Sequence, residues 1–232
     1  MATRSEFSKQ LDEVEALVAR LGEKSAADVR AAGLATQGDT SAAANVLQGR
    51  KAADRLRNEI ETLCLDIMLL QQPLIGEDLR LVSGSFRLVS DLYQIDNMCR
   101  DIAFIVSELP DDAAGKMGPK FREMSDHVAG MVTEALEAFE AADPERARKV
   151  IDSDDAVDEL YGAAEDDVID LICAAGKSSA KSLPELLMVA KYFERIGDQA
   201  QRIAAWAVFR ANGERILTNG GQVIELRQEA GE

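Results

Sequence analysis

Apolar residues recur along this chain at alternating intervals of four and three positions, in six long stretches separated by short polar segments. An α-helix turns once every 3.6 residues, so this spacing places the apolar side chains on one stripe of each helix. The fifth stripe consists of Val157, Tyr161, Ala164, Val168 and Leu171, and the sixth of Leu186, Val189, Phe193, Ile196, Ala200 and Ile203. The pattern predicts six long amphipathic helices.

Turn and capping residues divide the six stretches. Asp143 followed by Pro144 is typical of a helix start, with the aspartate as N-cap and the proline in the first turn. Ser153 is a second candidate N-cap, so the fifth helix either runs through this position or restarts at it. The remaining boundaries fall at Pro73, at Pro110-Asp111-Asp112 and at Gly176-Lys177-Ser178-Ser179. Short connections make neighbouring helices antiparallel, which favours three-helix bundles.

The two halves of the chain repeat each other. Ala53-Asp54-Arg55-Leu56 corresponds to Val157-Asp158-Glu159-Leu160, and residues 92–97 correspond to residues 193–198, at offsets of 104 and 101. Two close but unequal offsets indicate a repeat with a small length change in one loop. The predicted fold is all-α, with tandem three-helix bundles at residues 1–110 and 111–213 and a C-terminal tail at 214–232.

The amino-acid composition favours helices, and the net charge argues against one class of partner. Aromatic residues make up 5% of the chain and prolines number five, which favours helix over sheet. The formal charge of −16 argues against nucleic acid as a partner, because phosphate contacts need clustered Lys and Arg. The three cysteines are far apart among apolar neighbours and are expected to be reduced core residues.

The sequence also indicates the cellular compartment of the protein. The N-terminal residues contain no apolar segment typical of a signal peptide, and no stretch approaches the roughly 20 apolar residues of a membrane helix. We therefore expect a cytoplasmic protein without membrane insertion.

Two carboxylate pairs in the second half suggest a metal site. Asp154 and Asp158 are four residues apart on one predicted helix, and Glu194 and Asp198 are four apart on the next. Two such pairs on neighbouring helices provide an all-oxygen shell, which suits Mg²⁺, Mn²⁺ or iron. At about 100° per residue, Glu194 and Asp198 lie opposite the apolar stripe, so both are expected to face outward, into an exposed groove.

The spacing leaves an ordinary alternative open. Acidic pairs four residues apart are common on plain solvated helix faces, above all in an acidic chain. Like charges at this spacing destabilise a helix by a few tenths of a kcal/mol. This cost is an argument for a compensating role of the acidic pairs. If Ser153 restarts the helix, however, the acidity only complements the helix dipole. No nucleophile–base pair, phosphate-binding glycine loop or nucleotide fingerprint accompanies the carboxylates, and the single histidine, His127, lies outside both pairs.

Four features of the sequence occur together: the twofold repeat, Gln71-Gln72-Pro73 followed by Asp78-Leu79-Arg80, Val157-Asp158-Glu159-Leu160-Tyr161, and Glu194-Arg195-Ile196-Gly197-Asp198-Gln199-Ala200. In these features the chain resembles the PhoU family of phosphate-transport regulators. The resemblance runs from about residue 5 to about residue 213. It implies two tandem three-helix bundles, a homodimer, and metal clusters of iron or zinc, for instance, held by paired (Glu/Asp)-x-x-x-Asp motifs. It also implies a regulator rather than an enzyme, one that links the ATPase subunit of a phosphate importer to a sensor histidine kinase.

The metal motif is retained in one half only. Asp154, Asp158, Glu194 and Asp198 occupy all four of the family's acidic positions in the second bundle. The corresponding positions of the first bundle are occupied by Arg50, Asp54, Tyr93 and Asn97. We therefore expect a divalent or trivalent ion (iron, zinc, manganese or magnesium) at the second bundle only. Arg202, where the family often has a neutral polar residue, is expected to perturb this site.

The resulting hypothesis is a non-enzymatic cytoplasmic regulator of phosphate uptake and phosphate-starvation signalling. One alternative is a PhoU-like paralogue that regulates another transporter or signalling system. A second is a helical enzyme that uses the carboxylate-bound metal. Catalytic iron and zinc sites usually add histidine ligands, which disfavours this second alternative.

Overall fold

The protein is described by a computed structural model, which covers residues 2–109, 111–175, 182–219 and 222–226. The helices are α1 (Ala2–Ala35), α2 (Thr40–Gln48), α3 (Arg50–Leu70), α4 (Gly76–Glu108), α5 (Asp111–Ala141), α6 (Pro144–Asp152), α7 (Asp154–Ala174) and α8 (Leu183–Asn212), followed by strands β1 (Arg215–Asn219) and β2 (Gln222–Leu226). The all-α prediction is confirmed. Among the described residues, β1 and β2 form a two-stranded hairpin, which is the sheet of this structure.

Each half contains the same succession of helices. A long helix is followed by a nine-residue helix, a 21-residue helix and a second long helix, so α2 and α3 correspond to α6 and α7. The repeated three-helix unit is confirmed, and its middle helix is broken in both copies, at Gly49 and at Ser153. Ser153 does not cap α7, because its hydroxyl donates back to the carbonyl of Val150 at 2.7 Å.

The short helices begin at matching aspartate caps. Asp143 accepts hydrogen bonds from the backbone N–H groups of Glu145 and Arg146, both at 3.0 Å, and Pro144 occupies the first turn, as predicted. Asp39 does the same for α2 through the N–H groups of Ser41 and Ala42. These contacts satisfy N–H groups that have no partner within the helix.

Four long helices join the two halves. α1 and α4 of the first half pack against α5 and α8 of the second, while α2 and α3 flank one side and α6 and α7 the other. The buried apolar residues form one continuous cluster through both halves. Division into bundles at residues 1–110 and 111–213 stays a prediction. The connectors predicted at Pro110 and at residues 176–179 lie outside the described residues, as does the end of the tail from residue 227.

A polar cluster is buried where α1 meets α4. Lys24 donates to Asp28, and it also donates to Asp96 Oδ1 at 2.6 Å. Arg100 Nε lies 3.4 Å from Asp96 Oδ2. Burial, opposed by Lys24 and reinforced by Asp96, raises the pKa of Asp28 to about 6. Two cations therefore face two carboxylates in this cluster.

The predicted tail contains regular structure. Gly213, at a φ of 82°, ends α8 in the left-handed conformation that glycine adopts without strain. The antiparallel hairpin follows, and Ile216 of β1 is buried against α8. Cys64 and Cys99 are buried as predicted, but Cys173 is exposed. None of the described helices is long and apolar enough to cross a membrane.

Candidate metal centre

The two carboxylate pairs lie on α7 and α8, which pack against each other. Asp154 is the first residue of α7, and its side chain points towards α8 at Gly197. A Cβ atom at Gly197 would lie 3.0 Å from Asp154 Oδ1, so the glycine permits this close approach. Gly197 lies between Glu194 and Asp198 in the sequence, and the first turn of α7 therefore faces the segment that carries the second pair.

The four carboxylates differ in exposure. Asp154 is 3% exposed and Glu194 is 9% exposed, whereas Asp198 is half-buried and Asp158 is exposed. The prediction that Glu194 and Asp198 face outward into an exposed groove is therefore wrong for Glu194. The reason is that α8 packs against α4, α5, α6 and α7 together, so its buried surface is wider than one apolar stripe.

The carboxylates repel one another electrostatically. The pKa of Asp154 is raised to about 7 by burial, and further by the negative charges of Asp198, Asp158 and Glu194. The pKa of Asp198 is raised to about 6, again by burial first and then by Glu194. Loss of hydration and like charge both disfavour an ionised carboxylate, which is the direction of both shifts. The four residues predicted from the sequence thus come close enough to act on each other.

Lys191 and Arg195 partly offset this repulsion, because the positive charge of each lowers the pKa of Asp198. Lys191 Nζ donates to Glu194 Oε1 at 2.7 Å. The other oxygen, Glu194 Oε2, is buried and has no hydrogen-bond partner among the described residues. Sequence reasoning missed Lys191, although its position one turn before Glu194 was a usable signal. A buried carboxylate oxygen without a partner is costly, and a cation would satisfy it.

The donor set suits a hard cation, but its present geometry is open. In the parts of the chain that the structure describes, no three Asp, Glu, His or Cys side chains are gathered into a group that could hold a metal ion. The carboxylates are electrostatic neighbours rather than a closed coordination shell. Coordination would require side-chain movement, including displacement of Lys191 from Glu194 Oε1.

The equivalent positions of the first half are differently occupied. Asp54 Oδ1 accepts a hydrogen bond from the Tyr93 hydroxyl at 2.9 Å, and Asp54 Oδ2 lies 3.7 Å from Arg50 Nε. The Asn97 side-chain oxygen accepts from Arg100. Both oxygens of the single carboxylate are therefore engaged by protein donors. That metal binds the second half only stays a prediction.

Two further residues were singled out by the sequence. Arg202 Nε lies 3.1 Å from Asp91 Oδ1 on α4, so its charge is used by that carboxylate rather than by the four on α7 and α8. The expectation that Arg202 perturbs the site therefore has no support in the contacts. His127 is half-buried on α5, with Nε2 3.4 Å from the carbonyl oxygen of Ser153, next to Asp154.

Comparison with known protein families gives a match in both halves. The model of the family described as "PhoU domain" matches residues 16–106 and again residues 121–207. These two ranges cover the first and second helical repeats and together include more than half of the chain. Both carboxylate pairs fall within the second range.

Individual relatives agree with the family match. A protein of Clostridium acetobutylicum, named phosphate-specific transport system accessory protein PhoU homolog, is 27% identical over 94% of this chain and 99% of its own length. A protein of the same name from Aquifex aeolicus is 30% identical over 74% of this chain and 77% of its own. Its counterpart in Caulobacter vibrioides is 28% identical over 97% and 98%.

Solved structures share the fold. The crystal structure of PhoU from Pseudomonas aeruginosa superposes with a TM-score of 0.80, at 23% identity, over 89% of this chain and 99% of that protein. The phosphate transport system regulatory protein PhoU from Streptococcus pneumoniae gives a TM-score of 0.81 at 22% identity, over 90% and 98%.

Proposed function

The chain belongs to the PhoU family, and from that premise we propose that it is a non-enzymatic regulator of phosphate uptake and of the response to phosphate starvation. The observation that carries the proposal is the double family match over residues 16–106 and 121–207. Relatives that align over nearly their whole length are named as accessory proteins of a phosphate-specific transport system. The family thus supports a role in regulating phosphate transport.

The proposed partners are the ATPase subunit of a phosphate importer and a phosphate-sensing histidine kinase, both reached from the cytoplasm. The formal charge of −16 favours association with a basic patch on another protein and disfavours nucleic acid. We also propose that the protein works as a homodimer, as its family resemblance implies.

The metal-binding part of the proposal rests on the second half. Asp154, Asp158, Glu194 and Asp198 would hold a divalent or trivalent ion such as iron, zinc, manganese or magnesium. Its positive charge would neutralise the mutually repelling carboxylates and tie α7 to α8. The support is the unpartnered Glu194 Oε2 and the raised pKa values of Asp154 and Asp198. Since Arg50 and Tyr93 engage Asp54, the first half would remain free of metal.

Gene deletion tests the regulatory role. Removing the gene from its source organism should raise phosphate uptake or starvation-gene expression in phosphate-rich medium, and a plasmid copy should restore the wild-type level. Uptake of labelled phosphate and transcript levels measure the effect. Unchanged phosphate responses would contradict the proposal and would favour the PhoU-like paralogue with another target.

A further inference from the structure

A second candidate site lies on α8, away from α7. It is a cavity of about 250 Å³ between α4, α8 and β1. Three arginines from these three elements line it: Arg87 of α4, Arg202 of α8 and Arg215 of β1. The aromatic rings of Trp206 and Phe209 form part of the wall. Such a concentration of guanidinium groups is notable in a chain with 42 acidic and 26 basic residues.

One buried carboxylate holds part of this site in place. Asp91, 3% exposed, lies with Oδ1 3.1 Å from Arg202 Nε, and its Oδ2 accepts a hydrogen bond from Trp206 Nε1 at 3.1 Å. Both oxygens of Asp91 are therefore used, one to fix a guanidinium and one to fix the indole ring.

The other two arginines contact aromatic rings instead. The Cζ atom of Arg87 lies 5.5 Å from the centre of the Trp206 ring, and that of Arg215 lies 5.8 Å from the centre of the Phe209 ring. The two rings meet edge to face at 5.8 Å. Within the described part of the chain, neither arginine forms an ion pair with a carboxylate. Both arginines are exposed, and a cation–π contact at such a site favours one orientation of the guanidinium without neutralising its charge.

The net charge of the cavity side chains indicates an anionic ligand. Among the side chains that the structure describes at this cavity, three guanidinium groups face one carboxylate, Asp91, which leaves two positive charges. A phosphate monoester carries a charge of about −1.5 to −2 at pH 7. The planar guanidinium fork matches phosphate oxygens in pairs, which makes arginine a common phosphate ligand.

The volume of the cavity and its apolar wall indicate which group the phosphate is attached to. Pockets for drug-sized ligands measure about 300–1,000 Å³, so this cavity suits a smaller molecule that is still larger than a bare phosphate ion. Ala205, Ile216 and Leu217 supply apolar surface beside the aromatic rings. We propose that this cavity binds a free, compact phosphate monoester with a planar or apolar group, such as a nucleoside monophosphate.

Trp206 provides the measurement, because it is the single tryptophan of the chain and lines the cavity. AMP titrated into the full-length protein in the presence of EDTA should change the tryptophan fluorescence saturably, and calorimetry should give the same Kd. Arg87→Gln and Arg215→Gln should each weaken binding about tenfold or more. Arg55→Gln, an exposed arginine on α3 away from the cavity, should leave the Kd unchanged.

Three other probes identify the chemical class. Adenosine lacks the phosphate and should not bind, while inorganic phosphate and the dicarboxylate succinate should each bind at least tenfold more weakly than AMP. Arg87→Lys keeps the charge but loses the fork, so its Kd should fall between those of the wild type and Arg87→Gln. Circular dichroism establishes that each variant is folded.

Several results would overturn the proposal. They are the lack of saturable AMP binding, equal affinity for succinate or inorganic phosphate, and undiminished binding in both glutamine variants. Because EDTA removes metal from the carboxylates, these outcomes concern the arginine cavity alone and leave the regulatory and metal proposals to their own tests.

Discussion

Two clusters of carboxylates among the described residues differ in their counter-charges. Asp28 and Asp96 face Lys24 and Arg100, so that cluster is balanced by the protein itself. Asp154, Asp158, Glu194 and Asp198 have Lys191 as their cation in hydrogen-bond contact. The first cluster is therefore suited to holding α1 and α4 together. The second carries excess negative charge, which a bound cation would neutralise.

Metal content should depend on the second half only. Changing Glu194→Ala together with Asp198→Ala removes one of the two carboxylate pairs and should abolish bound metal. Elemental analysis of the purified protein by mass spectrometry measures this loss. The matched control is Asp54→Ala at the equivalent position of the first half, which should leave metal content unchanged. Full metal content in the double variant, or loss of metal in the control, would contradict the proposed asymmetry.

The Asp28 carboxyl should make stability depend on pH. Its pKa is about 6 in the folded protein, against an ordinary value of 3.8, so the folded state binds a proton where the unfolded state does not. The resulting stabilisation is full below about pH 4 and is lost as the pH rises through about 6. Asp28→Asn should remove this contribution, so its Tm relative to wild type should increase between pH 4 and pH 7.

A comparison of thermal melts across this pH range measures the effect. Asp12→Asn provides the control, because Asp12 lies exposed on the same helix, and its Tm should follow that of the wild type at every pH. A constant difference between Asp28→Asn and wild type would show that the Asp28 carboxyl does not carry the pH dependence.

At the candidate metal site, the sequence was sufficient to find the carboxylates but not their setting. The spacing of Asp154 with Asp158 and of Glu194 with Asp198 identified four groups that do influence one another. Burial of Glu194 could not be derived from a single helical stripe, because it depends on four neighbours packing around α8. Long-range contacts of this kind leave no periodic signal in one helix.

Between elements, the packing of α1 against α5 depends on a glycine. A Cβ atom at Gly33 would lie 1.9 Å from Ser125 Oγ and 2.5 Å from Ser125 Cβ. The hydroxyl can rotate away, but the Cβ atom of the fully buried Ser125 cannot, so the two helices would have to separate. Overpacking of this kind costs about 1–3 kcal/mol, which exceeds the gain of about 1 kcal/mol from alanine in a helix.

Gly33→Ala should therefore lower the free energy of unfolding, and the Tm should fall by about 2–4 °C per kcal/mol. Urea and thermal unfolding measure the change. Gly130→Ala on α5 is the matched control, because its added methyl group would meet nothing within 4 Å. That variant should gain about 0.5–1 kcal/mol. A stabilised Gly33→Ala would show that α1 and α5 can separate without cost.

Some elements carried a clear signal in the sequence and others did not. Asp143 was recognised because a proline follows it, whereas Asp39 makes the same cap without one and α2 is too short to show a stripe. The hairpin was missed although Gly220-Gly221 separates its two strands in the sequence, a pair typical of tight hairpins. Short strands next to a long helix are stabilised by contact with that helix, and such contact cannot be read locally.

At the scale of the whole molecule, the repeat in the sequence is not a division of the core. Apolar periodicity and the matched segments predicted the repeated unit, and the helices have that order. Neither feature predicted that α1 and α4 would pack against α5 and α8, because the pattern of one repeat does not specify where the other is placed. The packing of the halves is a property of the complete chain.

Because both halves contribute to one core, the core can be completed only after α8 has been synthesised. When α4 has been synthesised, the faces of α1 and α4 that will meet α5 and α8 have no partner. The end of α8 follows the end of α4 by 104 residues, since α4 ends at residue 108 and α8 at residue 212. At about 5–20 residues per second, this delay lasts roughly 5 to 20 s. During that interval the nascent first half exposes the apolar surface that later packs against α5 and α8, which makes this intermediate prone to aggregation.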